Sequence, residues 1–183
     1  LDRFDPGRLL PEWPGALSGA ARVEAARADQ DWTAVLQLEA LHGELRGQRF
    51  AGNGVLHWGG GEARSDLLVR IGDGRIRVQG SAGEQLDLDV VVEQLVLADV
   101  LPDAEGRVDG SVQVDGSREA PRVALSLRAA DLLLAGQRAG SLAAEGTLGV
   151  AADAPFDLRV DATALVLGGL EFSGAQVTLE GTA

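Results

Sequence analysis

Stretches about ninety residues apart echo one another along this chain, and nearly all of them alternate apolar and polar residues. Leu10-Pro11 followed by Gly15-Ala16-Leu17-Ser18-Gly19 returns as Leu101-Pro102 followed by Gly106-Arg107-Val108-Asp109-Gly110, an offset of 102 − 11 = 91. Leu45-Arg46-Gly47-Gln48-Arg49 returns as Leu134-Ala135-Gly136-Gln137-Arg138, an offset of 134 − 45 = 89. Asp66-Leu67-Leu68-Val69 is echoed by Asp157-Leu158-Arg159-Val160, again at 157 − 66 = 91. A repeat of this kind makes architecture, rather than one catalytic pocket, the carrier of function. The 183 residues read as a single fragment of a longer repetitive β-array, with residues 9–98 as one unit and 99–183 as the next.

The repeated unit is built from strands. Val108, Gly110, Val112 and Val114 alternate with polar residues, as do Val123, Leu125 and Leu127, Leu86, Leu88, Val90 and Val92, and Phe156, Leu158, Val160 and Ala162. A period of two puts each apolar set on one face of a sheet. Asn53-Gly54 and Asp73-Gly74 are hairpin dipeptides, and Gly59-Gly60-Gly61, Asp115-Gly116 and Gly168-Gly169 punctuate other junctions. Such hairpins make the sheet antiparallel, with about a dozen or more strands of five to eight residues. The Ala-rich segment 20–40 suits a helix by propensity alone, but it aligns in the repeat with the alternating segment 112–129 and is read as strand. Asp2 to Trp13 is a short helix or an irregular lead-in.

A one-sided antiparallel sheet needs something over its apolar face, and no convincing amphipathic helix supplies it. The sheet either closes on itself as a sandwich or barrel, or curls into a trough. Aromatic residues make up only 4% of the chain, thin for a sandwich core, which favours the trough. The formal charge of −12 repels phosphate backbones, so nucleic acid is excluded as a partner. Cysteine is absent and all sixteen basic residues are arginine. Thiolate chemistry, Cys-based metal sites, a Walker-type lysine and Schiff-base chemistry are therefore ruled out. The chain begins with Leu, carries no signal-peptide pattern, and has no apolar run long enough to span a bilayer.

No residue constellation points to catalysis, a metal or a cofactor. His42 and His57 lack ligand spacing and read as surface or rim residues. Asp87 and Asp89 share a strand face about 7 Å apart; they alternate with Leu86, Leu88 and Val90 as a solvated face does. Asp99, Asp103 and Glu105 cluster around Pro102 without any calcium-loop spacing. Gly52-Asn53-Gly54 lacks the third glycine of a dinucleotide fingerprint. Trp13, Trp32 and Trp58 read as residues filling a sheet end or rim. What remains is the set of apolar residues on the alternations: Leu36, Leu38, Val69, Ile71, Val78, Leu88, Val90, Val112, Val114, Leu125, Leu127, Leu148, Leu158, Val160, Leu167, Val177 and Leu179.

The pattern Leu-Pro followed by spaced glycines, the alternating valines and the Gly116-Ser117-Arg118-Glu119-Ala120-Pro121 link resemble the bacterial TamB family. So do the segments Ala129-Ala130-Asp131-Leu132-Leu133-Leu134-Ala135-Gly136 and Ala162-Thr163-Ala164-Leu165-Val166-Leu167-Gly168-Gly169. The resemblance runs from about Phe4 to Gly181, and AsmA-like and Vps13-like proteins share its grammar. It implies an all-β, elongated, curved antiparallel sheet folded lengthwise like a taco, with an apolar concave interior formed by the seventeen residues above. It also implies the periplasmic portion of an inner-membrane-anchored protein of a diderm bacterium, paired with the outer-membrane barrel TamA. Two cargoes go with the family: phospholipid acyl chains moving between the membranes, and nascent outer-membrane proteins held by strand pairing. The third alternative is a closed β-sandwich acting as a structural module. The family's membrane anchor is not recognised in the sequence, which places the chain inside the array. Exposed sheet ends in such a piece invite end-to-end association with copies of itself.

Overall fold

In a computed structural model, described over residues 2–8, 11–28, 31–151 and 154–182, the protein is all-β. A single 3-10 turn, η1 (Pro6–Arg8), leads into β1 (Gly15–Ala28), β2 (Asp31–Leu45), β3 (Gln48–Gly59), β4 (Glu62–Ile71), β5 (Gly74–Ala82) and β6 (Gln85–Val96). One helical turn, α1 (Leu97–Val100), then precedes β7 (Glu105–Ser117), β8 (Ala120–Leu134), β9 (Gln137–Gly149), β10 (Pro155–Leu167) and β11 (Leu170–Thr182). The strands form one sheet in sequence order, each antiparallel to the next, and the sheet does not close on itself. At a spacing of ~4.8 Å, ten strand-to-strand steps give an array about 48 Å long.

There are eleven strands rather than a dozen or more, because each is longer than expected, from nine residues in β5 to fifteen in β2 and β8. Two expected hairpins are the reason. Asn53-Gly54 lies inside β3, and Asp115-Gly116 lies inside β7, whose turn is Arg118-Glu119. The turns at Gly60-Gly61 and Gly168-Gly169 fall where the glycines place them, whereas the hairpin expected at Asp73-Gly74 turns one residue earlier, at Gly72-Asp73, with Gly74 opening β5. The segment 20–40 is strand on both sides of the β1–β2 connection, and the lead-in holds only η1.

The echoed segments occupy matching places. Arg46-Gly47 and Ala135-Gly136 are both hairpin turns with two consecutive positive φ angles, 52° and 77° in the first and 49° and 77° in the second. That geometry matches the right-handed twist of the flanking strands. Asp66 sits in β4 and Asp157 in β10, and η1 and α1 each precede a strand, β1 and β7.

Alternation is not continuous along the strands. Ala40, Gln94, Asp131 and Ala164 take left-handed conformations, with φ between 47° and 52°. Register shifts accompany the first three: between Leu38 and Leu41, between Val92 and Leu95, and where Arg107 and Glu105 face Ala130 and Leu133 across Asp131. At each of the four, the apolar phase jumps by three residues instead of two: Leu38 to Leu41, Val92 to Leu95, Ala129 to Leu132, and Ala162 to Leu165. Local twist of this kind bends a strand and re-aims its side chains. Beyond the jumps the side chains pack: Leu165 joins Ala139, Ala162 and Leu132 in one cluster.

Burial is therefore concentrated along one margin of the sheet. Leu17, Leu45, Ile71, Leu95, Ala104, Ala139, Ala162 and Leu165 are buried, and all lie toward the turns at 46–47, 72–73, 135–136 and 168–169 or next to α1. This packed rim also holds the lead-in. Phe4 and Leu17 exchange two backbone hydrogen bonds of 2.8 Å, and the Arg46 guanidinium donates to the Glu12 carbonyl at 3.0 Å. No side chain among the described residues is fully buried. A compact protein of 19.0 kDa exposes about 8,400 Å²; this one exposes 11827 Å². That excess belongs to a sheet with one face uncovered, not to a closed sandwich.

Candidate functional site

The strand register sorts the apolar residues into three stripes that run across at least ten of the eleven strands, perpendicular to them. The first passes through Val23, Leu36, Leu56, Ser65, Gly80, Leu88, Val114, Val123, Leu148 and Phe156. The second passes through Ala21, Leu38, Gly54, Leu67, Val78, Val90, Val112, Leu125, Gly146, Leu158 and Leu179. The third starts at Leu41 and runs through Gly52, Val69, Ile76, Val92, Gly110, Leu127, Ala144, Val160 and Val177. None of the three contains an ionisable residue, and Ser65 is the one hydroxyl.

Fifteen of the seventeen residues singled out in the sequence lie on these stripes. Ile71 sits beyond them in the packed rim, 4% exposed. Leu167 sits at the β10–β11 turn beyond the left-handed Ala164, in phase with the packed Leu165. The seventeen left out Val23, Leu56, Leu67 and Ile76, which the same period of two marks, and Val92, Val123 and Phe156, which the sequence alternations already contained.

Glycines occupy the stripes where a side chain would meet the backbone of the neighbouring strand. Gly80 has φ 125°, a conformation open to glycine alone at low cost, and a Cβ there would collide with the Asp87 carbonyl oxygen of β6. Gly146 is similarly crowded by the Asp157 carbonyl oxygen of β10. Such glycines let a sheet curve tightly.

The opposite face carries the charge. Gln113 donates to Asp89 at 2.9 Å, Arg75 pairs with Glu93 at 2.9 Å, and Arg159 pairs with Asp161 at 2.7 Å. These pairs are exposed and screened by water, so they add little to stability. Asp87 faces Ser81 and Asp115 across its two neighbouring strands. His57 lies on this face between Val35 and Arg64, and His42 lies opposite Ala51. Trp13 is half-buried in the lead-in, whereas Trp32 and Trp58 are more than half exposed.

The Asp99, Asp103 and Glu105 group does not converge. Asp99 is buried under the β4–β5 turn, where a Cβ on Gly72 would stand 2.8 Å from its carboxylate, while Asp103 and Glu105 are exposed. Burial pushes the Asp99 carboxyl above its ordinary pKa; the Asp73 carboxylate adds to the rise and the Arg46 guanidinium opposes it. Asp5 shifts the other way. The backbone N–H groups of Gly15 and Gly7, at 3.0 and 2.9 Å, hold its carboxyl below the usual value. Among the described residues, no three His, Asp or Glu side chains come together as metal ligands, and no helix is long and apolar enough to cross a membrane.

A family model described as "TamB, N-terminal domain" matches residues 1–183. The match is to the family's N-terminal domain, where the sequence reading places the chain inside the array. No curated protein and no solved structure is similar enough to count as a match.

Proposed function

This chain belongs to the TamB family, and on that premise we propose that it is a non-enzymatic, periplasmic segment of a translocation and assembly module. In this role it carries phospholipid acyl chains between the inner and outer membranes of a diderm bacterium, with the barrel TamA as outer-membrane partner. One observation supports this above the others: three apolar stripes cross the sheet, free of ionisable groups and, among the described residues, without a covering layer. Burying an acyl chain is worth ~0.8 kcal/mol per CH₂, so a sixteen-carbon chain gains on the order of 12 kcal/mol before ordering costs. Movement needs that gain to be nearly constant along the path. Stripes of interchangeable Leu, Val and Ala supply this, and head groups stay in water because no charge on the stripes holds them. The path of about 48 Å exceeds the thickness of a bilayer's hydrocarbon core, ~30 Å.

A second reading is that the sheet holds nascent outer-membrane strands by pairing at an open edge, as a β-augmentation chaperone does. The two are separated by Val112→Asp on the second stripe and Thr178→Pro on β11, each tested for lipid captured in cells and for outer-membrane proteins captured in cells. Lipid transport requires loss of lipid in Val112→Asp with Thr178→Pro unaffected. Loss of protein capture in Thr178→Pro alone refutes it in favour of strand pairing.

A further inference from the structure

Two of the three tryptophans stand together at the margin of the sheet opposite the packed rim. Trp32 and Trp58 are 54% and 57% exposed, and Val23 nearby is 67% exposed. Trp58 pairs with Ala34, two residues from Trp32, which makes the two rings diagonal neighbours on adjacent strands. Both are in phase with the first stripe: Trp58 follows Leu56 by two, and Trp32 precedes Leu36 by four, with no left-handed residue between. They therefore stand on the apolar face where the stripes begin, at β1 to β3.

This corner of the sheet also projects. The last β2–β3 pair is Thr33 with Gly59, whereas β1 and β2 stay paired beyond it through Arg27 with Trp32 and Ala28 with Asp31. The Arg27 guanidinium lies over the Trp32 ring, 5.7 Å from its centroid. Large exposed aromatics on a monomer's apolar face are unusual unless something meets them. Tryptophan with a neighbouring arginine has a specific preference: the indole lies at the level of lipid head groups, and the guanidinium reaches the polar layer.

We propose that this corner, edged by Trp32 and Trp58, is a docking lip for the interfacial layer of a phospholipid bilayer, through which acyl chains enter the stripes. The net charge of −12 opposes an anionic surface, so the lipid is zwitterionic. The lip deepens the acyl-chain reading and rests on it. It gives one margin of the groove a bilayer-facing character that the packed rim, lined with aliphatic side chains and braced by η1 and α1, does not share.

The chain has no tyrosine, so its emission reports tryptophan alone. Three variants each keep one tryptophan, with Phe at the other two. They are mixed with phosphatidylcholine vesicles whose acyl chains carry mid-chain bromines, which quench nearby indoles. Quenching and a blue shift at Trp32 and Trp58, at least three-fold above those at Trp13, are expected. Flotation with the same vesicles should fall at least five-fold in Trp32→Ser/Trp58→Ser, with the circular dichroism spectrum unchanged. Equal quenching at all three positions, or none, overturns the lip. A photoreactive residue at Leu125, offered phosphatidylcholine from detergent micelles, separates this outcome from failure of the groove. Capture at Leu125 without quenching removes the lip and leaves the groove. Quenching at Trp32 and Trp58 without capture at Leu125 keeps the lip as a bilayer contact and removes the groove.

Discussion

Truncating one leucine on the packed rim and one on the open face gives unequal costs if the sheet has no second layer. Leu165 is 9% exposed and touches Ala139, Ala162 and Leu132. Leu165→Ala loses the transfer free energy of three carbons and leaves a void in a cluster that cannot collapse freely, about 3 kcal/mol. Leu179, opposite Leu158 on the second stripe, is 49% exposed. Full burial of a leucine is worth about 1.5–3 kcal/mol, so half of it gives about 1 kcal/mol. No cavity term is added, because the vacated space opens to water. The corresponding aspartates widen the gap. Leu165→Asp buries an unpaired charge and should prevent folding, whereas Leu179→Asp leaves its carboxylate hydrated. Urea unfolding at fixed pH, with m unchanged across the set, reads both differences. A cost for Leu179→Ala equal to that of Leu165→Ala would mean that another layer covers the stripe, and the open face would have to be abandoned.

Gly80→Ala should cost more than 2 kcal/mol in the same assay, from the positive φ and the clash with the Asp87 carbonyl; a change within 0.5 kcal/mol would show that the bend is not there. Ala164→Val should cost about 1–2 kcal/mol, since a β-branched side chain resists the left-handed conformation that shifts the phase of β10, and a neutral result in thermal melts would argue against the shift. Asp99 gives a pH signature. Its carboxyl pKa is raised by folding, so the native state holds its proton more tightly than the unfolded chain. The stability this contributes is present below the unfolded pKa of ~3.9 and is lost as pH rises through the folded value. Asp99→Asn should therefore raise Tm at pH 7 and leave it nearly unchanged at pH 3.

The face of the sheet was legible because a period of two survives in β3 to β7 over long stretches: Leu86, Leu88, Val90 and Val92 need no structure to be placed together. The packed rim was not legible. Leu45, Leu95, Leu132 and Leu165 fall out of phase with the residues before them, and the cause is a left-handed residue on the same strand. Ala40, Gln94 and Ala164 carry no local mark of that conformation, since alanine and glutamine do not favour it. Turn chemistry failed for a related reason. Asn53-Gly54 and Asp115-Gly116 have hairpin composition, but the chain uses these glycines for curvature inside β3 and β7. The run Leu97-Ala98-Asp99-Val100 became a helical turn where alternation broke. Leu101, just before Pro102, is extended, at φ −120° and ψ 130°, as the residue ahead of a proline is expected to be.

The most direct test of the lipid path is photo-crosslinking inside cells, with a photoreactive amino acid replacing Leu125 or Val160 on the stripes and Gln113 on the charged face as control. Mass spectrometry then identifies what each position has captured. Phospholipid adducts at Leu125 and Val160, with none at Gln113, are the expected result. No adduct at either stripe position, or the same adducts on both faces, would contradict a lipid path along the apolar stripes.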